Sequence, residues 1–300
     1  WKSLTTVSDV EDAITEYTTE VLNALNKINC LPDYVQVGNE INNGILRHDG
    51  YSSGKGTASS SPAFPLGTLK EDSSTYNYLH YLEAGCKAVR AVSSDIKIVL
   101  HVASSSSSSD ISTIAAIENY GIDYEIIGLS YYPWESSHGT ISDMQTKIEN
   151  WISSYNKDVI IAECSGIWNY STSSTTNLTY ETNHMIDPET GSVYSDLTMD
   201  SSNTYIIGSI ANQKAIVRHI MDAAYSAGAC GVFTWGGETR GTWNWAMFTW
   251  GGVAMDSIEA FNYTPSSSSS STQTETKSIY TGTLTIADNS LQQFLTADYF

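Results

Sequence analysis

Two glutamates close apolar runs in this chain: Glu40 in VQVGNEINNG and Glu163 in DVIIAEC. Two carboxyls flanking one bond are what glycoside hydrolysis needs. One donates a proton to the leaving oxygen, and the other attacks or activates water. Each Glu taken singly reads better as a solvated loop carboxylate; the pair and its company shift the balance. Other apolar runs end in His101, in Tyr131 and Tyr132, and in Trp235. A phenol can orient a nucleophilic carboxylate and lower its pKa by hydrogen bonding. Alternation from Gly128 and Ser130 favours Tyr132 as the inward phenol of the two. Trp235 ends its run where an indole could stack under a sugar ring. Trp134, Trp168, Trp243 and Trp245 fall in loops on the same side, as subsite candidates or as loop packing. His101 reads either as a ligand contact or as a hydrogen-bonded structural histidine.

These residues need elements to hold them. Helical spacing of apolar residues predicts helices over 5–27, 76–92, 111–120, 141–155 and 206–227, with a short helical piece at 257–261. Ser8 or Asp9 is placed to cap the first. Between the helices lie short runs that read as buried strands: 34–38, 96–102, 124–132, 158–163 and 229–235. Helix and strand alternate, so the fold class is α/β with a parallel sheet. An open doubly wound sheet and a (β/α)8 barrel both fit that pattern. The polar and aromatic residues sit at the C-terminal ends of the strands, where barrel enzymes build their sites. No Gly-rich phosphate loop follows any strand. Strict alternation puts Gln36, Gly38 and Glu40 on one face, and Val159, Ile161 and Glu163 on another shared face. Three strand steps separate the two glutamates, roughly 14 Å on a flat sheet and too far for one glycosidic bond.

Composition bounds the rest. With 14 Lys+Arg against 33 acidic residues, the formal charge of −19 excludes a basic footprint for nucleic acid. It also disfavours an anionic membrane surface. No apolar stretch is long enough for a membrane span. Low charge and abundant Ser, Thr and Tyr lean towards a secreted, extracellular, monomeric protein. The four cysteines (Cys30, Cys86, Cys164 and Cys230) show no CxxC pair and read as free thiols. No zinc spacing occurs among the histidines, and Ser165 lies in CSG rather than a nucleophile elbow. Metal ligands are therefore not assigned and no cofactor is required. Asp187, Glu189 and Asp200 offer at most an unsupported calcium site, with a solvated acidic loop as the plainer reading.

DYVQVGNEINNGIL, IIGLSYYPW, VIIAE and AMFTWGGVAMDSIEAF together resemble glycoside hydrolase family 53, the arabinogalactan endo-β-1,4-galactanases. VQVGNE and LSYYPW in that order, about 90 residues apart, carry most of the likeness. The resemblance covers about residues 1–262. It implies a (β/α)8 TIM barrel that cleaves β-1,4-galactan internally with retention, with Glu40 as acid/base, Glu163 as nucleophile and Asn39 on the sugar 2-hydroxyl. Substrate contacts would come from Asn39, His101, Tyr131, Tyr132, Trp134, Trp168 and Trp235. The alternatives are a related β-glucanase or β-mannanase, or a non-catalytic carbohydrate-binding barrel remnant. Three loops depart from the family pattern: AlaSerSer after His101, CysSerGlyIleTrp after Glu163, and GGETRGTWNW after Trp235. The galactan preference is left open by these.

Five strands are visible where a barrel has eight. The resemblance implies that the first three strands would precede Trp1, so that residues 1–263 run from the third helix to the eighth strand and final helix. A Ser-rich linker is expected at 264–273, and the start of a second module or a tail at 274–300. Such a remnant exposes two raw sheet edges and is expected to be poorly stable and weakly active alone.

Overall fold

The computed structural model describes residues 4, 6–46, 76–169, 180–203, 205–241 and 243–262. The expected linker and tail at 264–300 lie outside the described residues. The order of elements is α1 (Val7–Lys27), β1 (Tyr34–Gln36), α2 (Asn77–Val92), β2 (Lys97–Ala103), α3 (Ser109–Tyr120), β3 (Ile126–Tyr131) and α4 (Ile141–Tyr155). Then come β4 (Asp158–Cys164), β5 (Tyr180–Glu181), β6 (Tyr205–Ile206), α5 (Ile210–Ser226) and β7 (Gly231–Thr234).

Local chemistry sets the helix ends. α1 is capped by Thr6, not by Ser8 or Asp9: the Thr6 hydroxyl accepts the Asp9 N–H, satisfying one of the free first-turn donors. α4 starts at a reciprocal box between Thr140 and Asp143 and stops where Asn156 turns left-handed. α5 begins four residues later than expected. Ile206 belongs to β6, and the Ser209 side chain caps the helix by accepting from Asn212 N–H. A short apolar pair such as Ile206-Ile207 fits either period, and here the cap decides.

Five strands form one parallel sheet in the order β1-β2-β3-β4-β7; β5 and β6 form a separate antiparallel pair. The order never reverses, unlike a doubly wound sheet with its switch point. Right-handed crossovers then put every helix on the same face. That face carries the main core: Ile98, Leu100 and Val102 on β2, Ile127, Leu129 and Tyr131 on β3, and Val159, Ile161 and Cys164 on β4. The other face is formed by Val99, His101, Gly128, Ser130 and Ala162. On it a Cβ added to Gly128 would lie 3.1 Å from side-chain atoms of Ala162 and Val99, so only Gly fits without displacement.

The sheet curls around this second face. One side-chain oxygen from each of Glu40 and Glu163 and one ring nitrogen of His101 all lie within 4.8 Å of one another. A flat sheet would hold the β1 and β4 ends roughly 14 Å apart. β1 and β7 are the edges of this sheet among the described residues. Their outward appearance differs from that of the centre: Tyr34 is 57% and Phe233 58% exposed, whereas every residue of β3 is buried.

Candidate active site

Glu163 reaches the concave face through a bulge, which corrects the alternation read from sequence. Val159 and Ile161 pack into the helix-side core, and simple alternation would send Glu163 after them. Instead Leu129 pairs with Ile161 while the next residue, Ser130, pairs with Glu163. On the other side the register also slips between Ile161 and Cys164. Ala162 is thus an extra residue in β4 against both neighbours. Such a bulge turns the following side chain to the opposite face, so Glu163 joins Ser130 and His101.

Glu40 is delivered by a turn. The strand ends at Gln36, earlier than expected. Gly38 (φ 78°) and Glu40 (φ 46°) then both adopt left-handed backbone, which is costly for a Glu and persists only where the surroundings enforce it. Here they do. Ile41, next in the chain, is fully buried. The Asn42 side chain pairs with β2 as a strand would: its Oδ1 accepts the Ala103 N–H and its Nδ2 donates to the Ala103 carbonyl, both at 2.7 Å.

A polar relay lies between the two glutamates. Asn39 Oδ1 accepts from Gln36 Nε2 (3.1 Å) and sits 3.0 Å from His101 Nδ1. An amide oxygen can only accept, so the His101 proton is on Nδ1. Nε2 is then an acceptor, and it meets the Ser130 hydroxyl at 2.7 Å. Burial lowers the His101 pKa to about 4, so the ring is neutral. His101 is fully buried, and its Nδ1 proton holds the Asn39 side chain in place.

Tyr132 is the inward phenol, as alternation indicated, and donates to Glu163 Oε2 at 2.7 Å. Even so, Glu163 is shifted upward rather than down. Burial raises its pKa most, the Tyr132 hydrogen bond opposes that, and the Glu40 charge adds to the rise. Tyr131 is a correction. It is fully buried in the helix-side core, with its hydroxyl turned to the Gly139 and His184 carbonyls, so it does not line the concave face.

Aromatic rings form one wall. Tyr132 and Trp134 lie 4.7 Å apart by ring centroids, Trp134 stacks on Trp245 at 6.0 Å, and Trp245 touches both Trp235 and Trp243. Trp235, 42% exposed, is the ring most open to a ligand of those on a strand end. Trp168 is committed to structure: its indole N–H donates to the Trp243 carbonyl and its backbone N–H to that of Asn244. The sequence reading did not assign Gln36, Ser130 or Asn42 to the site; Gln36 and Ser130 left a trace through their places in the alternation of β1 and β3, and Asn42 left none.

Glu40, His101 and Glu163 are close enough to hold a cation. Both His101 nitrogens already serve Asn39 and Ser130, so an ion there would have to break that relay. In the acidic loop, Asp187 accepts from Glu189 N–H and the Thr190 hydroxyl, and Asp200 from Tyr205 N–H and Ser202. These carboxylates close their own turns. No helix among the described residues is long and apolar enough to cross a membrane.

Comparison with known proteins bears on the whole arrangement. The chain is 32% identical over 174 residues to an arabinogalactan endo-β-1,4-galactanase of Cellvibrio japonicus, a match covering 56% of this chain and 41% of that protein. The chain thus spans about two fifths of the length of the curated relatives it matches. Among solved structures it is similar to a GH53 catalytic domain from Ignisphaera aggregans, with TM-score 0.61 and 27% identity over 85% of this chain and 65% of that one. A structure of fungal β-1,4-galactanases shares the fold at TM-score 0.60 and 18% identity, over 87% and 74% of the two chains. The curled sheet is accordingly a partial (β/α)8 barrel, five consecutive strands of the eight. The model for glycosyl hydrolase family 53 matches residues 1–272, and the chain belongs to that family.

Proposed function

We propose that the protein carrying this sequence is a retaining endo-β-1,4-galactanase, with Glu163 as nucleophile and Glu40 as acid/base. The spacing of the two carboxylates is the observation that carries this reading. One oxygen of each lies within 4.8 Å of the other, which suits the roughly 5–5.5 Å carboxyl separation of retaining enzymes better than the roughly 6.5–9.5 Å of inverting ones. Family membership supports the reaction class, and the printed activity of the Cellvibrio relative supports galactan as substrate.

In the first step a Glu163 oxygen attacks the anomeric carbon as the glycosidic C–O bond breaks. The Glu40 proton passes to the leaving oxygen, and a glycosyl ester on Glu163 remains. In the second step water attacks the same carbon, Glu40 takes its proton, and Glu163 leaves as carboxylate. Tyr132 steadies the attacking carboxylate from one side. Asn39, held by His101 and Gln36, offers its amide to a sugar hydroxyl. The Trp134, Trp235, Trp243 and Trp245 rings offer faces for neighbouring sugars. Secretion fits a polymeric substrate that cannot enter a cell.

The test uses the full-length protein on galactan, β-glucan and β-mannan, with NMR of the first anomer released. Internal cleavage of galactan to a β-anomer is expected, and is lost in Glu163→Gln. Release of the α-anomer, or unchanged hydrolysis in Glu163→Gln, would refute the mechanism. Preference for glucan or mannan would leave the mechanism and replace the substrate.

A further inference from the structure

Behind Tyr132 lies a buried ionic network that the reaction above does not use. Asp110 at the start of α3 is fully buried, and Lys147 in the middle of α4 nearly so. Lys147 Nζ meets Asp110 Oδ2 at 2.7 Å and donates to Ser104 Oγ (2.9 Å) and the Ser105 carbonyl (3.0 Å). Asp110 also accepts the backbone N–H groups of Ser105 and Ile111. Ser104 Oγ–H donates to the His138 carbonyl at 2.8 Å, and His138 Nδ1 lies 3.0 Å from the Tyr132 backbone nitrogen. Ionic groups cost several kcal/mol each to bury, and this pair is spent on two loops at the mouth of the barrel, those after β2 and β3.

Resting on the reading of Glu163 as nucleophile, we propose that His138 is a positioning residue for the site. Its Nδ1 accepts the Tyr132 backbone N–H and so fixes the Tyr132 phenol on Glu163, while the Lys147–Asp110 pair holds the His138 loop in place. An N–H donor requires a lone pair on Nδ1, so the ring must be neutral with its proton on Nε2. Its surroundings enforce that. Burial brings His138 down to about 4; the Lys147 and His184 charges push the same way and Asp110 opposes. The groups that face Glu163 itself are Glu40, Tyr132 and His101. The network reaches Tyr132 through His138, and His101 only indirectly, through the Ser104 N–H on the carbonyl of Ser130.

The direct readout is the ionisation of Glu163, followed by NMR of 13C-labelled glutamate carboxyls in the full-length protein. Its signal is assigned by loss in Glu163→Gln. In His138→Leu the Glu163 titration should move to higher pH, because the carboxylate loses the phenol. His138→Asn keeps an acceptor where Nδ1 stood and should restore the wild-type midpoint. Tyr132→Phe should produce the upward move by itself, and adding His138→Leu to it should add nothing. An unchanged midpoint in folded His138→Leu, or a shift that adds fully to that of Tyr132→Phe, overturns the proposal. Should His138→Leu fail to fold, Ser104→Ala cuts the link from Lys147 to His138. A smaller upward move is then expected, and none would overturn the idea. Galactan kinetics give a second arm: His138→Leu should lower kcat about ten- to a hundredfold with KM little changed. Hydrolysis that survives Glu163→Gln would sink the proposed mechanism, while the NMR titration would still decide the role of His138.

Discussion

β4 and β1 each deliver one glutamate to the same small volume, by opposite means. β4 lies inside the sheet, paired with β3 and β7; Glu163 itself pairs with Ser130 of β3, and Ile161 and Cys164 on either side of it pair with β7. A single extra residue, Ala162, aims it. β1 is a three-residue edge strand paired only with β2 among the described residues. Glu40 lies past its end, on left-handed backbone that the buried Ile41 and the Asn42 clasp on β2 hold in shape. An interior strand can fix a side chain through its ladder, while an edge strand must borrow rigidity from side chains that imitate one. The nucleophile proposed here stands on the first kind of support and the acid/base on the second.

Removing each carboxylate should break that comparison most visibly. Glu163→Gln is expected to lower kcat on galactan by at least about three orders of magnitude, ~4 kcal/mol. Glu40→Gln should cost about 10²–10³-fold, and less on an aryl galactoside whose leaving group needs no proton. Equal losses on both substrates would count against the acid/base assignment.

The supports themselves come next. Ile161→Ala, at a fully buried site beside the bulge, should destabilise by ~2–5 kcal/mol in urea unfolding. Val35→Ala on the half-buried β1 should cost only about 1 kcal/mol. Similar values would mean that β1 is no weaker an anchor than β4. Gly38→Ala should cost ~1–2 kcal/mol from left-handed backbone, and more because the new Cβ would meet Ile41 Cγ2 at 2.7 Å. Its kcat should fall with it, because the strain lies two residues from Glu40. Wild-type kcat in that variant would show that the turn does not aim Glu40.

The smallest effect is a pH dependence. Glu163 holds its proton more tightly folded than unfolded. Its cost to stability is therefore absent below the ordinary carboxylate range, grows as pH rises through the raised value, and stays constant above it. Glu163→Gln should melt higher than wild type at pH 7, with the gap closing below pH ~4. A gap that persists in acid would trace the gain to packing instead.

β2 and β3, at the centre of the sheet, were legible from sequence because their alternation is unbroken. IKIVLHV alternates apolar and inner-face residues, so β2 and the inward His101 follow directly. The Tyr131–Tyr132 choice followed from the same rule. Alternation failed at β4 because a bulge adds no unusual residue: Ala162 looks like any strand alanine, and the slip exists only against partners that lie far along the chain. At β1 the strand stops at Gln36, and a turn through left-handed Gly38 and Glu40, rather than alternation, brings Glu40 to the site.

By itself, then, the sequence determined the main helices, the five strands of the parallel sheet and the two glutamates that meet, because periodicity and strand-end chemistry are local; it did not show the β5–β6 pair. Tertiary structure alone decided where those carboxylates point and how far apart they stand. It clasped Asn42 to β2, and it buried a Lys147–Asp110 pair that no spacing predicted. Each of those outcomes depends on register and curvature, which are set by contacts between residues distant in the chain.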